Sequence, residues 1–421
     1  MTLKVAVVQA AAGAGTPPFN QDFTDGTAGF SSDVRAALFI GSRATANHAS
    51  AGAAQFNIGL AARTGGNTQA TASFRVNDGV SGGNQAGNFG STSYAYSLAN
   101  TSYGSDGECA VGSWLSNGVR MSWSDQSIGE LITAILIGGD VEARVVSATF
   151  TNAAAPDTRT VSHGLSGAPE VIIAVCPGNY GSALSLGTWV TGGTYTSRAT
   201  YSNPDASVGD VYGWAGSDSI ATRLFTGSPV FSATISNVGA STFQLQTDAP
   251  NADTVYLLCL RGTTDPLVAK NGVLDTPTTT GTFAAVAGMG AAPKLLLTFP
   301  SRQTTIGRVS GDGGGAFGLI AAANNGGSQY GGVTVTEDDN ADPTVAKCQS
   351  TDSQALRVLD IAASATVQAA VQSWDAGGVT LNYSAANVAA LKVPYLALGV
   401  ASGAAPSAAA AQHYYRSMLV R

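Results

Sequence analysis

The chain has 421 residues with 20 Lys and Arg against 27 Asp and Glu, so 11% is charged and the net charge is −7, where ordinary soluble domains carry about 25% charged residues. An apolar fraction of 44% supplies a core and excludes disorder of the whole chain. The acidic balance excludes a protein that works by neutralising nucleic-acid phosphates, and no apolar run reaches the ~20 residues of a membrane-spanning helix, so no membrane insertion is expected.

The first predicted element is a strand over Val5–Ala12. It follows Lys4 as a secretory core would, but Gln9 interrupts it and small residues continue without a cleavage boundary, so no signal peptide is expected. Gly29–Ile40 then opens a pattern of Gly, a bulky apolar residue, small residues and an apolar strand. It returns without gaps at Gly164–Val175 and Gly288–Phe299. Pro169 and Pro293 open the strand in the later copies, where a missing N–H is tolerated, and one charged residue follows in each copy: Arg35, Glu170 and Lys294. The near-continuous apolar runs predict strands buried on both faces.

Next comes a strand ending in a Gly-Gly turn: Phe56–Gly66, the looser Leu186–Gly193, and Phe317–Gly327. Alternating strands follow the glycines where a phosphate loop would require a helix, so hairpins are predicted. A closing pair comes third. Trp114–Trp123 matches Trp374–Tyr383 in spacing, and Phe243–Thr247 fills the middle copy. Val119, Met121 and Trp123 alternate with Arg120 and Ser122, the mark of a half-buried antiparallel strand. Apolar strands over Ile132–Ile137, Val255–Leu260 and Val393–Leu398 end the three copies.

The expected fold is all-β: three tandem antiparallel β-sandwich modules over 1–141, 142–264 and 265–400, with a short C-terminal tail over 401–421. A small barrel is the alternative architecture. Short joins near Asp140–Ala143 and Gly262–Pro266 predict modules that touch, but repeats leave open whether they form a rod or close about a pseudo-threefold axis. The Ala-rich tail ends in an aromatic, apolar and basic segment, and Tyr414, Tyr415, Arg416, Leu419 and Arg421 are candidate assembly residues.

Chemistry-bearing residues are sparse. Cys109, Cys176, Cys259 and Cys348 form no CxxC pair and read as structural thiols. His48, His163 and His413 stand outside metal-ligand spacing, and His163 reads as a turn or strand-end residue. No metal, cofactor or catalytic residue is expected, and the chain is not expected to be an enzyme. A polysaccharide depolymerase would need paired carboxylates. The only dense acidic group is Glu337, Asp338, Asp339 and Asp342, which reads as a solvated loop or a weak Ca²⁺ site, and the other copies offer only Asp78 and Asp205. An array of carbohydrate-binding modules is the other alternative, with Trp189 and Trp214 as candidate surface-binding aromatics beside Tyr195 and Tyr212.

The segment Thr160–Ile173, followed about 80 residues later (243 − 164 = 79) by Phe243–Leu245 and the strand Val255–Leu257, resembles modules in structural proteins of tailed bacteriophages, especially fibre, spike and tail-tip components. The resemblance covers the second and third copies well and the first weakly, since Asp33 and Val34 replace the Ala-Pro there. It implies a virion surface appendage with no cofactor. The partners it implies are copies of itself, other virion proteins and a host-surface glycan or protein receptor. It also implies localisation in a virion assembled in the host cytoplasm.

Overall fold

The computed structural model describes residues 3–13, 15–26, 30, 34–77, 86–102, 104–125, 129–151, 156–178, 182–203, 210–225, 228–249, 252–310, 315–325, 327–336 and 346–401. Every regular element among them is a strand. The first module holds β1 (Leu3–Ala11), β2 (Phe19–Thr24), β3 (Val34–Gly41), β4 (Ala53–Ala62), β5 (Thr68–Asn77), β6 (Ala86–Ser91), β7 (Tyr96–Ala99), β8 (Ser105–Leu115), β9 (Gly118–Trp123) and β10 (Leu131–Gly139). The second holds β11 (Val141–Thr149), β12 (Asp157–Ser162), β13 (Val171–Pro177), β14 (Ser182–Val190), β15 (Thr194–Asn203), β16 (Asp210–Gly216), β17 (Ala221–Phe225), β18 (Ser228–Ser236), β19 (Thr242–Thr247) and β20 (Thr254–Gly262). The third holds β21 (Leu267–Asp275), β22 (Gly281–Val286), β23 (Pro293–Thr298), β24 (Gly307–Ser310), β25 (Phe317–Ala323), β26 (Gln329–Thr336), β27 (Ala346–Asp352), β28 (Leu356–Leu359), β29 (Ala365–Asp375), β30 (Gly378–Ala385) and β31 (Lys392–Val400).

Each module packs a larger sheet against a four-stranded one, with one strand order used three times. The first is β1-β10-β3-β4-β5-β6 over β2-β9-β8-β7, the second β11-β20-β13-β14-β15-β16 over β12-β19-β18-β17, the third β21-β31-β23-β25-β26-β27 over β22-β30-β29-β28. These are open sheets in pairs, so the sandwich holds and the barrel does not. Asp140 alone separates β10 from β11, which places Val141 in the second module's first strand, paired with Gly262.

The hairpin glycines do what the sequence asks of them. Gly65 and Gly66 turn β4 into β5 at φ 70° and 112°, and Gly192 and Gly193 turn β14 into β15 at 107° and 82°. Such angles are open to glycine and strained for other residues.

The doubly buried strands have two different cores on their two faces. On β3, Ala37 and Phe39 point into the first sandwich, while Ala36, Leu38 and Ile40 point the other way into a core shared by all three modules. The same division holds on β13, with Ile172 and Ala174 against Ile173 and Val175, and on β23, with Leu296 against Leu295 and Leu297. The three larger sheets therefore face a common centre. Three modules closed about a pseudo-threefold axis, rather than a rod, result.

Candidate functional site

The points where the modules meet are the places where the structure brings distant polar residues together. Each seam joins the later strands of one module's larger sheet to the first strands of the next, a heterologous contact that closes after three steps. At the first seam the edge strand β11 gives Ala143 N–H to Thr64 Oγ1 and Val145 N–H to Thr68 Oγ1, both at 3.0 Å, and Arg144 Nη1 donates to Thr64 O at 2.9 Å. At the second, Asn271 Nδ2 on β21 reaches Thr188 O at 3.1 Å and Thr194 O at 3.2 Å, while Thr194 Oγ1 donates to Asn271 Oδ1 at 2.8 Å.

The third seam has no covalent join and is closed by a loop. Residues between β3 and β4 cross to β27, where Asn47 bridges Ser350 and Ala51 bridges Cys348. His48 Nε2 lies 2.7 Å from Asp352 Oδ1, Ser42 and Ser350 share a hydroxyl contact of 3.2 Å, and Gln349 Nε2 donates to Ser50 Oγ at 2.9 Å. The corresponding segment of the third module makes the same kind of excursion backwards. Its β24 leaves its own sandwich and pairs with β16, extending the second module's larger sheet to seven strands. The end of β13 makes the equivalent approach to β6, with Pro177 so close to Gly90 that a Cβ there would stand 2.6 Å from its ring. A segment of the neighbouring module thus approaches the outer edge of each larger sheet, and pairs with it along a strand only at β16.

Arg198 anchors the β24 excursion. Its guanidinium is fully buried on β15 and donates to Trp214 O at 2.6 Å, to Pro300 O at 3.3 Å and to Ala316 O, gripping the crossing segment at both ends. It also lies 5.8 Å from the centre of the Phe317 ring. Burial pulls its pKa down to about 9, so it still carries charge at neutral pH. Phe317 in turn meets Phe56 and Phe74 edge-on at 5.2 and 6.0 Å, so residues of all three modules converge at this ring.

The sequence-predicted residues fall as follows. Trp189 is not a surface aromatic: it is 5% exposed and packs inside the second sandwich, because its register opposite Ile172 turns it to the inner face. Trp214 is half-buried, beside Tyr212 against the small cluster of Ala183, Ala199, Tyr201 and Leu224. Tyr195 is held by its hydroxyl to Ile235, and Tyr212 stacks on Tyr201 at 6.1 Å. The structure does not bring Trp189 and Trp214 together on a sugar-binding face. His163 directly follows the end of β12 and is excluded from solvent. Its Nδ1 accepts the Leu165 N–H at 3.2 Å, Nε2 lies 3.2 Å from Gly239 O, and the ring stacks on Phe243 at 6.2 Å. All four cysteines are buried free thiols, and burial raises each pKa, that of Cys348 to about 12. Asp78, Asp205, Glu337, Asp338, Asp339 and Asp342 lie outside the described residues, as do Tyr414, Tyr415, Arg416, Leu419 and Arg421. Among the described residues no group of three or more His, Cys, Asp or Glu could hold a metal ion, and no helix is long and apolar enough to cross a membrane.

Sequence reasoning missed Arg198, His48 with Asp352, and the β24 excursion. The only signal for Arg198 was a charged residue within a predicted strand of small and polar residues. A scan against protein-family models finds no match to this chain, and a comparison with curated proteins finds none either.

Proposed function

We propose that the chain is a structural protein of a bacteriophage virion, a surface appendage of the tail-fibre, head-spike, tail-tip or decoration kind that serves assembly and host-surface attachment. One observation carries the reading. A single chain folds as three similar sandwiches closed head to tail about a pseudo-threefold axis, and such a body offers three similar faces to a position of threefold symmetry on a particle. The charge-poor composition accords with a part whose work is packing and contact. In this reading its partners are other virion proteins, copies of itself and a host-surface glycan or protein. The C-terminal segment with Tyr414, Tyr415, Arg416, Leu419 and Arg421 is its docking element.

Cryo-electron microscopy of purified particles tests this, with the chain located by its three-lobed density. The expected result is the chain seated at one symmetry position, with incorporation lost when the chain is cut after Ala401. A chain found only as a free monomer, absent from every particle fraction, overturns the proposal.

A further inference from the structure

The pseudo-threefold repeat allows one seam to be compared with another residue by residue, and the comparison shows Arg35 at the first seam where the second has Glu170. The equivalence is fixed by backbone bonds. Arg63 N–H donates to Arg35 O, Thr191 N–H to Glu170 O and Asn324 N–H to Lys294 O, at 2.9, 2.9 and 3.0 Å, so Arg35, Glu170 and Lys294 occupy one position in three copies. Likewise Leu3 opposite Gly139, Val141 opposite Gly262 and Leu267 opposite Val400 mark one register.

At the second seam the Glu170 carboxylate stitches the join. Its Oε2 accepts the N–H of Gly262 at 2.9 Å and of Leu267 at 2.7 Å. The first-seam counterparts of those donors are Gly139 and Val141, and the residue facing them is Arg35, of opposite charge. Ala143 and Val145 turn their N–H groups toward the β4–β5 hairpin, and the two-residue alternation of a strand turns the Val141 N–H to that same side. Between them lies a cleft of about 340 Å³ lined by Arg35, Arg63, Thr64, Gly65, Gly139 and Val141, among others. Arg35 lines this cleft with part of its side chain, and its Nε is buried with no hydrogen-bond partner. Two acidic residues share the rim. Glu142 turns away, accepting the Ser166 N–H at 2.8 Å and lying 3.6 Å from Arg261, while Asp140 sits at the join itself and gives its carbonyl to Thr263 N–H at 2.9 Å.

We propose that this cleft binds a small oxyanion, a carboxylate or phosphate. The anion takes the place that the Glu170 carboxylate fills at the second seam, held by the backbone donors of the join and by the Arg35 guanidinium, whose planar fork suits such an ion. Its role is to tie the first module to the second, as Glu170 ties the second to the third. This site stands independently of the virion reading.

The test uses the full chain and follows thermal unfolding in titrations of acetate and, separately, of phosphate, with chloride holding ionic strength constant. The expected result is a rise in Tm of about 1–3 °C with at least one of the two, growing with the logarithm of concentration once binding is saturated. Arg35→Ala abolishes the rise. Arg35→Glu also abolishes it, while unfolding without anion at or above the wild-type temperature, because it installs the second seam's own solution. Isothermal calorimetry with the responding anion gives one site on the wild type and none on either variant. No rise with either anion overturns the proposal, as does a rise equal in Arg35→Ala, which marks general salt exclusion rather than a site.

Discussion

Two glycines set how closely the sheets of the first and second sandwiches approach. A Cβ on Gly59 would stand 1.7 Å from the Ala95 carbonyl oxygen, and one on Gly187 1.7 Å from that of Ile220. The third copy places Ile320 in this register and packs it with Ala316, Val333, Val335 and Leu359 instead. Since the obstruction is backbone, no side chain can swing away, and Gly59→Ala or Gly187→Ala is expected to cost about 3 kcal/mol or more in urea unfolding. His163 makes a statement about pH. Desolvation holds its pKa below the ordinary value, so the unfolded chain binds the proton more readily than the folded one. Its contribution is fully present above about pH 6.5 and is lost as the pH falls through the lower folded value. Wild-type stability should therefore drop between neutral pH and about pH 5, with a shallower drop for His163→Gln. An equal slope in the two proteins would assign the pH dependence elsewhere.

At the scale of elements, the exchange of segments between modules is held by few contacts. The strand β24 has four paired residues on β16, and the segment carrying it is gripped at Pro300 and Ala316 by Arg198. A hydrogen bond to a charged group contributes about 1.5–3 kcal/mol. Arg198→Met keeps much of the volume but removes every donor. Amide exchange on β24 and its partner residues Tyr212–Ala215 is then expected to speed up by about tenfold to a hundredfold, with β3 and β4 of the first module unchanged. Uniform acceleration across the molecule would show that Arg198 supports the whole ring rather than this crossing. The guarded edges follow the same logic: on the outer strand β2, Asp22 pairs with Arg120 at 2.6 Å, and on β12 Asp157 pairs with Arg159 at 2.6 Å, charges that discourage pairing with foreign strands.

At the scale of the whole molecule, the shared core makes three modules behave as one. Each larger sheet turns one apolar face to the common centre, so no module can leave without exposing the faces of the other two. Calorimetry should show one unfolding transition where a chain of independent modules would show up to three. Phe317→Ala removes the ring that Phe56, Phe74 and Arg198 approach together, and should lower that single transition by about 3–5 kcal/mol without splitting it. Separate transitions in the variant would mean that the ring junction, and not the rest of the core, couples the modules.

The sequence by itself determined the all-β class, the apolar core strands of each copy, the hairpin turns and the threefold repetition. These are written in local periodicity: alternation at Val119, Met121 and Trp123, glycine pairs at 65–66 and 192–193, and apolar runs that admitted no exposed face. It also signalled that β3, β13 and β23 were buried on both sides, but a run of apolar residues carries no label for what covers each side. Closure about an axis was decided only in three dimensions, because the second covering surface belongs to residues more than a hundred positions away. The same holds for Trp189, whose ring could be placed inside or outside only once its register against Ile172 was known. It holds equally for Arg35. As a sequence position it was one charged residue after a turn; as the counterpart of Glu170 it puts a guanidinium at the first seam where the second has a carboxylate.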